Sequence, residues 1–316
     1  MYHYVRPVAD SAFPHLKALE LNHFLGQLDH LQANYDMISA SDLSEAISGG
    51  TALPPRPCLL TFDDGYIDHY RYVFPALKAR GISGVFFPPR SSSLDRKMLE
   101  VNRIQFILAA HPAPETLADE LDALLLSDGR FTPVALRKAY FSPNRYDGPG
   151  VAYAKRLLQH VLPAALRTDL TGQLFRRHVN DDEKSFAEDL YLSVDQAREM
   201  RANGMAFGGH GDLHLWHDQA SPEELSREVA GSVAALTKIG APVSGGYYCY
   251  PFGGQNDVVR GVVNGAGFST GFTVVPALWS PSSDPMMISR LDTNDLPREP
   301  RQDCPWLARV ANTGAV

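Results

Sequence analysis

Apolar and polar positions recur in two periods along this chain, and the switching between them outlines the fold. Phe24, Leu25, Leu28 and Leu31 recur at helical spacing and give an early helix one apolar face. Ser41 and Asp42 open a short helix that Gly49-Gly50 ends. Residues 57–62 form an apolar strand, and a helix from about His69 to Arg80 stops at Gly81. Residues 82–87 return as a strand. Further on, Ser221-Pro222-Glu223-Glu224 reads as a capping box with proline at the first helical position, opening a helix to about Ile239 before Gly240. Asn256 or Asp257 caps another short helix, and residues 268–274 suit a late strand. Strands alternating with helices predict an α/β fold with a parallel sheet.

Between Pro88 and about Glu188 the alternation fails. Ile104, Phe106, Ile107 and Leu108, then Leu117, Leu121, Leu124 and Leu125, then residues 154–162 and 166–175, all read as helix, punctuated by prolines. This stretch, residues 89–188, is expected to be a helical insertion within a single domain spanning 1–316. It could cap the active site or serve as a packing or dimer-forming appendage. Tyr140, Arg145, Tyr146 and Asp147 are its candidates for ligand contact.

Bulk properties narrow the partners. A net charge of −7 and no basic stretch argue against nucleic acid. No run of about eighteen apolar residues suggests a membrane span. Three cysteines, Cys58, Cys249 and Cys304, do not suggest a disulfide framework, and the first two fall in strands expected to be buried. The N-terminus lacks a recognisable signal peptide, so the expected location is the cytoplasm. Oligomeric state is left open.

Chemistry concentrates in three places. Leu59-Leu60-Thr61-Phe62 ends at Asp63-Asp64-Gly65-Tyr66. Carboxylates are costly to bury unless paired or metal-bound, and two at a strand end can divide the labour between a cation and a proton. The second place is the Gly-rich run containing His210 and His214, whose four-residue spacing lets both imidazoles meet one ion. Two imidazoles and one carboxylate form a common catalytic zinc set. The third is Tyr247-Tyr248-Cys249-Tyr250-Pro251-Phe252-Gly253-Gly254, a strand broken by proline and glycine.

Together these stretches resemble the polysaccharide deacetylase (NodB-homology) family of carbohydrate esterases, which carries Thr-Phe-Asp-Asp-Gly, His-x-x-x-His and Arg-x-x-x-Pro-aromatic-Gly motifs in this order. The first is complete at Thr61 to Gly65. The second is present, although Gly211 replaces the usual Ser or Thr. Only Pro251-Phe252-Gly253 matches the third. The resemblance implies a distorted (β/α) barrel of about seven parallel strands, with the helical insertion entering where barrel active sites are built. It further implies that Asp64, His210 and His214 hold a divalent metal, with zinc the expected ion. Asp63 would be the base, and the backbone N–H of Phe252 would help stabilise the oxyanion.

Two departures bear on this. Tyr247 stands where the family has an arginine that orients the base, and Arg290 could reach in to replace it, with Asp292 as a possible partner. The family's late general-acid histidine has no counterpart, leaving His3 or His217 as candidates. His69 and His23 read as ordinary helix-face residues. Tyr66, Trp216, Tyr250, Pro251 and Trp279 are the candidates for substrate contact. The activity the resemblance implies is removal of an N-acetyl or similar small acyl group from an amino sugar in a glycan or glycan precursor, nucleotide- and lipid-linked sugars included. The alternatives are a deacylase of a non-sugar amide, or a non-catalytic glycan-binding protein on the same scaffold.

Overall fold

The computed structural model describes residues 1–144, 147–280 and 282–298. It divides into two compact units. One comprises Met1–Pro7, Ala18–Lys97 and the described part of Ala187–Val316; the other comprises Val8–Lys17 and Met98–Phe186. Helices were expected over 89–188, but the helical unit begins later and also takes in Val8–Lys17. The Phe13 ring packs edge-on against Phe106 at 5.0 Å and Phe186 at 5.8 Å, a long-range contact that no local periodicity reveals. Arg145, Tyr146 and Cys304 lie outside the described residues.

The strand-bearing unit is built on β1 (Leu60–Asp63), β2 (Gly84–Phe87), β3 (Ala206–Phe207), β4 (Gly246–Cys249) and β5 (Phe268–Phe272). β1 pairs β2, β2 pairs β3 and β4 pairs β5, all in parallel. Single parallel bridges extend the run: Tyr2 to Phe62, Gly209 to Tyr248, and Phe272 to Ile288. The Met1 amino group donates to the Leu291 carbonyl at 2.6 Å. The parallel α/β pattern expected from the sequence is therefore present, although its strands are short. Residues 57–62 do not form one strand. Pro57–Cys58 pairs with Asp36–Met37 instead, while Leu60 onward joins β2.

Burial explains why these segments settle as they do. All four residues of β1 and of β2 are buried. The Phe62 ring stacks on Tyr2 at 5.2 Å and on Phe86 at 4.7 Å. Each such ring contributes roughly 1.5–3 kcal/mol by leaving water. Helix α1 (Leu21–Asn34) buries Phe24, Leu28 and Leu31. A single turn, α2 (Arg90–Ser93), follows β2. Helix α3 (Pro222–Ile239) begins with the expected capping box, in which Ser221 and Glu224 each bond the other's backbone N–H, and ends at left-handed Gly240. Asn256 caps α4 (Asp257–Gly265).

The segment from His69 departs from expectation. It opens as a π-turn over His69–Val73 and becomes α-helical at Phe74–Ala79, where Pro75 lacks the N–H that would continue the wider pattern. His69 is therefore no surface helix residue. It is fully buried, 5.6 Å from both Phe62 and Phe86, and burial lowers its pKa to about 4.

The second unit is helical. Its segments Glu100–Ala110, Leu117–Asp128, Pro149–Arg156 and Ala164–His178 bury Ile104, Phe106, Ile107, Leu117, Leu121, Leu125, Leu170, Leu174 and Phe175, close to the predicted apolar faces. Among the described residues, no helix is long and apolar enough to cross a membrane.

Candidate active site

β1 ends where the chain must turn sharply. Asp64 and Gly65 are both left-handed, at φ 71° and 69°. A Cβ on Gly65 would come within 2.7 Å of the Pro88 Cβ, so glycine is required by space as well as by backbone conformation. This turn leaves Asp63 and Asp64 buried but facing different partners.

Asp64 faces the histidines. Its Oδ1 lies 3.3 Å from Nε2 of His210 and 3.3 Å from Nε2 of His214. Its Oδ2 accepts the Tyr66 hydroxyl at 2.6 Å. The far side of the His210 ring fixes its protonation, because Nδ1 lies 2.7 Å from the Cys249 carbonyl oxygen, which can only accept. Nδ1 therefore carries a proton, and a neutral His210 aims the Nε2 lone pair at a carboxylate. Asp64 Oδ1 is buried and without a hydrogen-bond donor. The contact needs a positive charge, either a second proton on the ring or a metal ion. The three converging atoms, all within 4.8 Å of one another, are two imidazole nitrogens and a carboxylate oxygen, a set that suits a divalent metal.

Asp63 faces an arginine. Arg290 Nη1 donates to Oδ1 and Nη2 to Oδ2, both at 2.8 Å. Arg290 is itself fixed by Nε donating to the Thr273 carbonyl and Nη1 to Thr61 Oγ1, and its Nη2 lies 3.0 Å from Cys249 Sγ. Burial alone would raise the Asp63 carboxyl, but the guanidinium more than offsets this and holds it well below the usual carboxylate range. Asp63, His210 and Cys249 each offer a polar atom within 4.8 Å of the others, so Asp63 sits beside the histidine cluster.

Arg290 thus pairs with Asp63, whereas the Tyr247 hydroxyl bonds Ser44 and the Ala40 carbonyl. Asp292 does not pair with Arg290; it caps the turn at Thr293–Asp295. His3 Nε2 lies 3.9 Å from Asp63 Oδ2 with a side chain 42 % exposed. The His3 carbonyl accepts from buried His69 Nε2 at 2.9 Å, which anchors its backbone. His217 is committed elsewhere. It is buried with Nε2 2.7 Å from the Tyr248 hydroxyl, and burial, then His210 and His214, lowers its pKa to about 3.

The aromatic candidates separate. Phe252 is left-handed (φ 56°), and its ring lies 4.4 Å from His214 and stacks on Trp216 at 4.5 Å. Tyr66 is fully buried, stacked on Tyr4 at 3.8 Å, and holds Asp64 rather than facing a ligand. Tyr250 and Pro251 are also buried, and the Tyr250 hydroxyl donates to the Met286 carbonyl. Trp279 is partly exposed and packs on the cluster around Phe87, Tyr247 and Phe272. Among the described residues, four non-glycine positions are left-handed, and three of them, Asp64, His214 and Phe252, are in this site. Such strain clusters where surrounding structure fixes reactive groups.

The family profile described as Polysaccharide deacetylase matches residues 149–271. Poly-beta-1,6-N-acetyl-D-glucosamine N-deacetylases of Escherichia coli, strain K12 and O157:H7, are each 28% identical over 145 residues, covering 39% of this chain and 21% of theirs. The chain resembles the polysaccharide deacetylase family over residues 149–271. It spans about a fifth of the length of these curated relatives. Several solved structures share the fold. The Streptococcus pyogenes deacetylase PplD in complex with acetate aligns with a TM-score of 0.56 at 16% identity, covering 98% of this chain and 95% of that one. IcaB from Ammonifex degensii gives 0.54 at 20%, covering 92% and 89%. A de-N-acetylase from Aggregatibacter actinomycetemcomitans gives 0.55 at 19%, covering 98% and 97%.

Proposed function

We propose that this chain is a metal-dependent hydrolase of the polysaccharide deacetylase family that removes N-acetyl groups from the amino sugars of a glycan. The observation that carries the reading is the convergence of Asp64 Oδ1, His210 Nε2 and His214 Nε2 on one point, beside an Asp63 clamped by Arg290. We also read the run of parallel segments from Tyr2 to Ile288 as the distorted seven-stranded barrel.

Asp64, His210 and His214 would hold the ion, zinc being the first choice for this donor set. When bound, such an ion supplies Lewis-acid polarisation and makes water more acidic. The chain's own residues do the rest. Asp63 stays ionised, and Arg290 fixes both of its oxygens, so it is placed to take a proton from the attacking water. The Phe252 N–H, held in a strained turn, is assigned to the developing oxyanion. His3 is assigned the proton delivered to the leaving amine, because it lies near Asp63 and is open to solvent on one side. The name of the curated relatives points to β-1,6-linked N-acetylglucosamine polymer as the first substrate to try. Nucleotide- and lipid-linked sugars are the second. The binding-only alternative had two motives, the missing arginine and the missing late histidine; the Arg290 pairing with Asp63 weakens the first, and the assignment of His3 is the answer proposed to the second.

The test is acetate release by the zinc-loaded protein from β-1,6-linked N-acetylglucosamine oligomers, with nucleotide-linked and N-formyl sugars alongside. Asp63→Asn should retain metal and lose roughly 10²–10⁴-fold in turnover. No acetate or formate from any substrate, or an unimpaired Asp63→Asn, would overturn the proposal.

A further inference from the structure

Glu228, in the middle of α3, is 1 % exposed, and among the described residues no lysine, arginine or histidine pairs with it. Its carboxylate accepts three backbone N–H groups instead: Leu213 at 2.8 Å, Asp212 at 3.1 Å and Leu215 at 3.2 Å. The amides of Asp212 and Leu213 belong to the loop joining His210 to His214, and that of Leu215 directly follows it. Ser232, one helical turn further along α3, accepts the Gly211 N–H at 2.8 Å. The loop's carbonyls are bonded from the other side. Arg90 N–H of α2 donates to the Gly211 oxygen and Ser91 N–H to the Asp212 oxygen, both at 3.1 Å, and Ser91 Oγ adds a bond to Asp212 at 2.6 Å.

A buried carboxylate without a cation is expensive unless fixed donors replace water. Here the donors come from one short loop whose backbone is left-handed at Gly211 (φ 77°) and at His214 (φ 62°). That conformation is unfavourable for a non-glycine residue and persists only when surroundings over-determine it. Charge-assisted bonds to three amides supply that determination. Gly211 is part of the same device, because a Cβ there would strike the Glu228 carboxylate.

We infer that Glu228 is the positioning residue that holds the His210–His214 loop in its ligating conformation, setting the affinity of the site for a divalent metal. The inference rests on the metal reading given under Proposed function, and the experiment separates the two. Zinc affinity is measured by chelator competition on the intact protein for the wild type, Glu228→Gln and Glu228→Asp, together with amide hydrogen exchange of the metal-free forms. Glu228→Gln removes the charge, while Glu228→Asp keeps it and shortens its reach. Zinc should bind about 10–100-fold more weakly to Glu228→Gln, in the range usual for partners that orient ligands. The amides of Asp212, Leu213 and Leu215 should exchange faster, with those of β1 unchanged. Glu228→Asp, which serves also if Glu228→Gln does not fold, should shift both readouts in the same direction. A folded variant with wild-type zinc affinity and unchanged exchange in the loop overturns the inference. A wild type that binds no zinc overturns the metal reading, and faster exchange confined to the loop would then still uphold the clamp while its effect on metal affinity falls.

Discussion

Among the described residues, two clusters bring a pair of imidazoles to one carboxylate, and they differ in what lies behind the rings. In the strand-bearing unit, Asp64 Oδ1 is 3.3 Å from His210 and His214. In the helical unit, Glu120 Oε2 is 3.5 Å from His111 Nε2 and 2.8 Å from His178 Nε2. His210 gives its Nδ1 proton to a carbonyl, so its inner nitrogen is bare. His111 Nδ1 instead accepts the Ala113 N–H at 3.1 Å, so a neutral ring carries its proton on Nε2 and donates it toward Glu120. Arg177 also pairs with Glu120. The helical cluster is complete as a set of hydrogen bonds, whereas the other lacks a cation. Both sets join two imidazoles to one carboxylate at similar interatomic distances; what separates them is the outer partner of one ring, the Cys249 carbonyl behind His210 against the Ala113 N–H behind His111.

The largest expected contrast is in metal binding. Alanine at His210 or Asp64 should abolish stoichiometric zinc binding and hydrolysis together, while His178→Ala should leave one equivalent bound at wild-type affinity; elemental analysis after dialysis reads both. Two equivalents in the wild type, one of them lost with His178, would erase the distinction.

Arg290→Ala comes next. It leaves Asp63 buried and unpaired, which typically costs about 3–5 kcal/mol. The folded-state pKa of Asp63 is depressed below the ordinary 3.8. The pairing therefore stabilises the fold fully above that value and loses its effect as the pH falls through the depressed one. Denaturant melts should show the gap between wild type and Arg290→Ala narrowing below about pH 3.8. A gap that widens in acid would contradict the pairing.

The smallest effect belongs to the helical cluster. Glu120→Gln removes partly exposed ion pairs, and a loss of about 1 kcal/mol is expected, insensitive to chelator. A chelator-dependent change in its thermal melt would assign that cluster a metal after all.

The site was legible in the sequence where chemistry is local. An apolar run stopping at two aspartates, and histidines four apart, can be seen without a fold, as can the Ser221 capping box. What sequence could not show depends on distant partners. Glu228 lies in Arg227-Glu228-Val229, which reads like any solvated helix face, yet it is buried under the histidine loop. His69 looked peripheral because the π-turn that rotates it inward leaves no periodic trace. Tyr66 and Tyr250 looked like ligand contacts because aromatic residues beside catalytic motifs can serve either core or substrate, and only burial tells them apart. Arg290 was recognisable as a candidate only through the arginine missing at Tyr247.

The left-handed backbone at Asp64, His214 and Phe252 has a consequence for anyone who would engineer this protein. Glycine at any of the three would relax the main chain, although it also adds freedom to the unfolded chain. Each would surrender a side chain the site uses. Searches for heat-tolerant variants that score folding alone are therefore drawn toward replacements that blunt the chemistry, and selection for turnover must hold these positions in place.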